Sequence, residues 1–348
     1  PKTVTTIGFL LDQFMTEVNN PLTQETTNIL THQRDVILFD FLARGLALTH
    51  RPFDALELSR AALDPAHTPT LWVMMERQCD AAVQQKLIDY VRAGGRLILT
   101  GRMCLEDFYH QPCTLLRDAL GITRITGGEP FKSERICAFD YHDVPASFVE
   151  RYAGPFDDIF ATADDGGVTG FIKSLGNGQV MVFGAALAAN TLEDLDIVHR
   201  MANRMGVRPL FEMSDWADVR LSEGENGSFL FINNYQDDPI ETRLNLHGAP
   251  LFGGHPIRLP ARRGFILPLA WRVTPGMVIH YCTGEILAAE AQNERITLRT
   301  EPAECTLQVS LDGYRCDDAS LLHRAEDGRL TLHKPDGQNL LTFSRSTG

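Results

Sequence analysis

Hydrophobic and polar positions follow two different rhythms along the chain. From Pro1 to about Leu210, short apolar runs alternate with helical spacing. Residues 6–11 read as a first strand. Residues 33–47 carry Val36, Ile37, Phe39, Phe41 and Leu46 at helix spacing. Residues 55–58 follow Pro52 as a short strand. Residues 70–74 are apolar without alternation, as expected of a strand covered on both faces. Residues 80–92 place Val83, Leu87, Ile88 and Val91 on one helix face, and Gly94-Gly95 ends that helix. Residues 96–100 are the next strand. Strand, helix and strand in this order predict a βαβ unit with parallel strands. Asn177-Gly178 predicts a hairpin between residues 170–175 and 179–183. A helix over 191–204 closes this part.

From about Phe211 the helical period disappears. Short strands at 228–232, 242–246, 264–269, 296–299 and 305–311 are separated by Gly, Pro, Asn and Asp turns. This predicts an all-β part, with residues 268–275 as an internal seam. The expected class is α/β: a flavodoxin-like or class I amidotransferase-like parallel-sheet domain over 1–210, then all-β sandwich segments over 211–272 and 273–348.

Composition narrows the chemistry. Thirty-two Lys and Arg against forty-five Asp and Glu give a net charge of −13. That balance argues against nucleic acid and against anionic membrane surfaces as partners. No apolar run approaches the roughly 18 residues of a spanning helix. Seven cysteines without a C-x-x-C read as reduced, mostly buried thiols of a cytoplasmic protein. The chain opens on Pro1, so a longer parent with a lost leader also fits the sequence. Scattered histidines predict no metal site, and no phosphate-cradling glycine motif predicts a nucleotide cofactor.

Two catalytic chemistries were sought. Amidotransferases place a nucleophilic Cys on a glycine-flanked elbow after a strand. The corresponding turn here is Met74-Met75-Glu76-Arg77-Gln78-Cys79-Asp80, which has no glycine and holds Cys79 too late. The strand at 180–186 offers no His before His199. Glycosidases need two carboxylates, about 5 Å apart in retaining enzymes. Glu17 and Glu76 lie near strand ends, and Glu294 belongs to the one Asn-Glu pair. A solvated or capping role is expected of each, and no catalytic residue is assigned. Trp72 reads as core. Trp216, Tyr235 and Trp271 are the candidate carbohydrate-stacking residues.

Residues 71–74 together with Gln84-Gln85-Lys86-Leu87-Ile88-Asp89-Tyr90-Val91-Arg92-Ala93-Gly94-Gly95-Arg96-Leu97-Ile98-Leu99-Thr100 resemble the middle domain of bacterial β-galactosidases of glycoside hydrolase families thirty-five and forty-two. Gln111-Pro112-Cys113-Thr114-Leu115-Leu116 and Gly176-Asn177-Gly178-Gln179-Val180 fit the same pattern. Gly227-Ser228-Phe229-Leu230-Phe231-Ile232-Asn233-Asn234-Tyr235, Phe252-Gly253-Gly254 and Phe265-Ile266-Leu267-Pro268 resemble the β domain that follows in those enzymes. The resemblance implies an amidotransferase-like domain without amidotransferase activity. It also implies a non-catalytic C-terminal region serving assembly and active-site shaping. The implied partners are a catalytic barrel of the same gene product, a galactoside bound by that barrel, and further copies in a homo-oligomer. A free-standing carbohydrate-binding protein and a divergent amidotransferase-like enzyme are the alternatives.

Overall fold

The computed structural model describes residues 5–9, 42–75, 77–129, 132–187, 191–326 and 328–346. The chain divides into two compact units, Pro1–Pro209 and Leu210–Gly348.

In the first unit the described strands are β1 (Thr5–Phe9), β2 (Phe53–Glu57), β3 (Thr70–Met75), β4 (Arg96–Gly101), β5 (Arg124–Gly127), β6 (Glu134–Ala138), β7 (Tyr141–Ala146), β8 (Glu150–Ala153), β9 (Asp158–Ala163), β10 (Val168–Leu175) and β11 (Gly178–Phe183). The helices are α1 (Arg44–Leu48), α2 (Ala81–Arg92), α3 (Leu115–Ala119) and α4 (Leu192–Arg204). All eleven strands join one sheet whose main path runs β2-β1-β3-β4-β11-β10-β9-β6-β7. Pairing is parallel from β2 to β11. It is antiparallel from β11 through β10, β9 and β6 to β7.

This corrects the expected fold class. A flavodoxin-like or amidotransferase-like domain would carry parallel strands throughout, with helices on both faces. Here the sheet is mixed, and among the described residues those in strands outnumber those in helices. The βαβ unit itself is present: β3 and β4 pair in parallel with α2 between them. That parallel pattern stops at β11 and does not extend to the rest of the sheet. Residues 124–163 form short strands that pair antiparallel among themselves, β6 with β7 and β9, and β5 with β8.

α2 buries Val83, Leu87, Ile88 and Val91 as its spacing requires, along with Gln84 and Tyr90. Its end packs closely on the β10–β11 hairpin. A Cβ on Gly178 would lie 2.2 Å from the Gly95 carbonyl oxygen, so only glycine fits there. The two turn residues are Gly176 and Asn177, since Leu175 pairs with Gly178. Trp72 is buried in β3 and donates from its indole nitrogen to Thr100 Oγ1 at 3.3 Å. Of the helix expected over 33–47, residues 33–41 lie outside those described, and the remainder includes α1.

In the second unit the strands are β12 (Phe211–Met213), β13 (Asp218–Gly224), β14 (Gly227–Asn233), β15 (Ile240–Thr242), β16 (Leu244–Leu246), β17 (Ala249–Pro250), β18 (Ile257–Leu259), β19 (Gly264–Thr274) and β20 (Met277–Cys282). They continue with β21 (Ile286–Gln292), β22 (Arg295–Thr300), β23 (Cys305–Leu311), β24 (Tyr314–Cys316), β25 (Leu322–Glu326), β26 (Arg329–Lys334) and β27 (Leu340–Arg345). The largest sheet runs β13-β14-β19-β20-β23-β26-β25. The stretch expected as one strand at 242–246 is two, β15 and β16, in different sheets and separated at Arg243. β19 runs unbroken across most of residues 268–275. It places Phe265 and Leu267 in one hydrophobic cluster, and Trp271 and Val273 against another.

Candidate functional site

The carboxyl ends of parallel strands are where open α/β sheets most often bind ligands. In the first unit the ends of β3 and β4 are filled by packed side chains. Cys79 is fully buried, and its backbone N–H donates to the Glu106 carbonyl at 2.8 Å. Cys104, just after β4, is buried beside it. A hydrogen bond with Cys79, reinforced by burial, holds the Cys104 thiol well above its ordinary pKa. Burial also raises the Cys113 thiol.

Gln84 binds this cluster together. Its amide nitrogen donates to the carbonyls of Cys79 at 2.7 Å and Cys113 at 2.9 Å, and its oxygen accepts from Leu116 N at 3.0 Å. Glu150 is buried beside β4, where Oε2 accepts from Met103 N and Tyr152 Oη, both at 2.8 Å. Burial, then the adjacent carboxylate, pushes the Tyr152 phenol far up. Gln84 was legible as a polar residue on the apolar face of α2. Glu150 carried no sequence signal.

Of the three sequence-derived carboxylates, the structure describes Glu294. Glu17 and Glu76 lie outside the described residues. Glu294 sits on the exposed β21–β22 turn, where Oε1 accepts from Arg345 Nη1 at 3.0 Å. Its own φ of 61° and the 47° of Asn293 are those of a tight hairpin turn.

Of the three aromatic candidates, two are neighbours. Tyr235 is 53% exposed, and its hydroxyl donates to Asp218 Oδ2 at 3.4 Å. Gln236, the next residue, donates from Nε2 to the Trp216 carbonyl at 3.1 Å. Trp271 lies elsewhere. It touches Gly227 at the start of β14 and packs on the Phe229 ring at 5.6 Å between centroids. Tyr235 follows the other end of β14, about 20 Å away at strand rise.

A cleft of about 440 Å³ opens in the second unit around His255, Arg258, Phe265, Glu304, His333 and Asp336. β23 and β26 supply one wall. Their register sets Thr306 opposite His333, and Thr306 Oγ1 lies 2.9 Å from His333 Nδ1. The His255 ring meets that of His333 edge to face, 5.7 Å between centroids. Arg258 is anchored from Nε to Glu241 at 2.8 Å and from Nη1 to Glu304 at 3.1 Å. A second pair, Arg263 to Glu301 at 3.1 Å, fixes another lining carboxylate.

Behind the wall, the buried Lys334 ammonium donates to four carbonyls: Pro302 at 3.2 Å, Ala303 at 2.5 Å, Pro335 at 3.3 Å and Gln338 at 2.7 Å. Cys305, also lining the cleft, accepts from Cys282 at 3.9 Å. That bond and then burial raise Cys282; the same bond and the nearby Lys334 lower Cys305. Among the described residues, no group of three His, Cys, Asp or Glu side chains is placed to hold a metal ion. No residue of this cleft was a sequence candidate. Its members come from segments far apart in the sequence, on β18, β19, β23, β26 and the turns beside them.

Comparison with known proteins places the chain among sugar-processing relatives. Residues 22–153 match the family described as "GLMA-like, second domain". The chain is 26% identical over 210 residues to a beta-1,2-glucosyltransferase of Ignavibacterium album, covering 59% of this chain and 29% of that protein. It is 23% identical over 275 residues to an exo-beta-D-glucosaminidase of Pyrococcus horikoshii, covering 77% of this chain and 34% of that one. The chain therefore spans about a third of the length of these relatives. In fold it is similar to a GH42 beta-galactosidase from G. stearothermophilus, with a TM-score of 0.54, 12% identity, and coverage of 77% of this chain and 40% of that one. A beta-galactosidase from Bacillus circulans sp. alkalophilus gives a TM-score of 0.54 at 13% identity, covering 77% and 41%. Among the described residues, no helix is long and apolar enough to cross a membrane.

Proposed function

We propose that this glycosidase-related chain is the accessory, non-catalytic region of a larger enzyme acting on β-linked glycosides, serving its assembly and the shaping of its active-site mouth. The observation that carries this reading is the partial match: 77% of the chain corresponds to 34% of a glucosaminidase. The chemistry agrees with it. Where the parallel strands end, Glu150 is occupied by Met103 N and Tyr152 Oη, and burial and thiol–thiol bonding keep Cys104 protonated. Neither group is arranged to attack or protonate a substrate. A barrel supplied by the same gene product would hold the acid and nucleophile, and contacts between copies would hold the assembly.

The test is turnover by the purified chain on nitrophenyl β-galactoside and nitrophenyl β-glucosaminide. The expected rate equals the blank, because loss of both catalytic carboxylates removes many powers of ten. Turnover that disappears in Glu76→Gln or Glu294→Gln would overturn the proposal.

A further inference from the structure

We infer that the cleft beside β23 and β26 is a sugar-binding subsite that takes one or two pyranose residues of a glycan and performs no chemistry on them. The inference rests on the reading of the chain as part of a sugar-processing enzyme and adds a place where glycan is held. A volume of about 440 Å³ lies within the ~300–1,000 Å³ of small-ligand sites.

The walls select among ligand classes. Glu301, Glu304 and Asp336 line the cleft against the single lining guanidinium of Arg258, which opposes a phosphate or other anion. The polar wall opposes a purely apolar guest. A pyranose matches both surfaces present. Its hydroxyls are donors and acceptors for carboxylates, guanidinium, imidazoles and the Thr283 and Thr306 hydroxyls. Its C–H face suits Pro256 and the small part of the Phe265 ring that reaches the cleft, the rest of that ring being buried in the core.

The polar groups are also held in place before any ligand arrives. Arg258 is tied to Glu241 and Glu304, Glu301 to Arg263, and His333 to Thr306. Fixed groups lose little further freedom on binding, so preorganisation favours recognition of a small polar ligand. The lining carboxylates also suit a protonated 2-amino group. Neutral and amino sugars share the hydroxyl chemistry, and the experiment separates them.

The experiment is calorimetry with saturation-transfer NMR on the purified chain, using cellobiose in one arm and a glucosamine dimer in the other. Saturable binding near the millimolar range is expected in at least one arm, and a stronger amino-sugar arm identifies the charged ligand. Glu304→Gln and Asp336→Asn, both at exposed positions, should each weaken it at least tenfold with unchanged melting. Trp216→Ala should leave it unchanged. Two results would overturn the inference: no saturable binding in either arm at tens of millimolar sugar, or binding lost in Trp216→Ala and retained in Glu304→Gln. Binding is measured apart from turnover, so a catalytically active chain and an empty cleft are separate outcomes.

Discussion

Arg51 and His199 occupy one buried niche: the guanidinium Nη1 lies 3.3 Å from His199 Nδ1, and Nη2 reaches the His199 carbonyl at 3.3 Å. Arg51 also donates to the carbonyls of Val207 at 3.0 Å and Thr49 at 2.8 Å, and to Asn203 Oδ1 at 2.8 Å. Burial and then Arg208 lower the Arg51 pKa to about 10; burial and then Arg51 lower that of His199 to about 4. At neutral pH the niche therefore holds a guanidinium beside a neutral imidazole.

The sign of the pH dependence follows. Between pH 6.5 and about 4 the unfolded chain binds a proton at this histidine that the folded chain refuses. Stability is present above pH 6.5 and falls as pH drops through that window. Because His199 is only half-buried, solvent screening limits the loss to about 1–2 kcal/mol. Chemical denaturation at pH 7 and pH 4.5 should show this slope. His199→Gln should flatten it, and Arg51→Met should move it toward higher pH.

Glu150 offers a second measurable quantity. Removing its carboxylate leaves Met103 N and Tyr152 Oη without this acceptor in a buried setting. Glu150→Ala is expected to cost about 2–3 kcal/mol, and Tyr152→Phe about 1 kcal/mol. Urea midpoints of the two single variants and the double variant would check both values and their coupling. Equal melting of Glu150→Ala and the unaltered chain would contradict the packing described.

Lys334 should be less replaceable than any surface lysine. Lys334→Met keeps the aliphatic stem but leaves four carbonyls without their ammonium donor, a loss of about 3 kcal/mol. Lys86→Met is an informative control. Its ammonium also reaches carbonyls, at 2.7 Å from Leu58 and 3.0 Å from Ala61, in a partly exposed setting. Its cost should be smaller by half or more.

The thiols should separate by accessibility. Cys79, Cys104 and Cys282 are fully buried, while Cys113 and Cys137 are intermediate. Iodoacetamide at neutral pH should label Cys137 first and Cys113 more slowly, because burial raises the Cys113 pKa. The three buried thiols should react only with denaturant present. Peptide mass spectrometry over time decides it, and early labelling of Cys79 would restore the elbow chemistry that its turn argues against.

Local periodicity made β3, α2, β4 and the β10–β11 hairpin readable, because each carries its own apolar pattern or turn signal. The class of the sheet was not readable in that way. β9 and β10 pair through a shifted register, and β10 also meets β8, pairings that depend on tertiary contacts more than on intrinsic strand propensity. Among the candidate residues, Trp216, Tyr235 and Trp271 stand out in the sequence as aromatics of a polar β part, and their spacing in the fold does not. The cleft was not readable, since His255, just before β18, and His333, on β26, are 78 positions apart and meet only in the folded unit. Gln84 marks the intermediate case: a polar residue on a buried helix face signals a bonding network and leaves its members unnamed.

β19 has a consequence for how the second unit can be inherited and handled. Its first half packs with Ile232 and Leu230, while its second half lies against Met277 and Ile279 through the other cluster. A recombination joint or a protease nick between Leu267 and Trp271 would leave each cluster nearly whole on its own fragment, with Tyr281 the one buried member crossing among the described residues, and would sever the strand that joins β14 to β20. Shuffled or truncated versions of this unit should therefore lose the ladder bonds of β19 before they lose either core, and each apolar centre travels with its own stretch of chain.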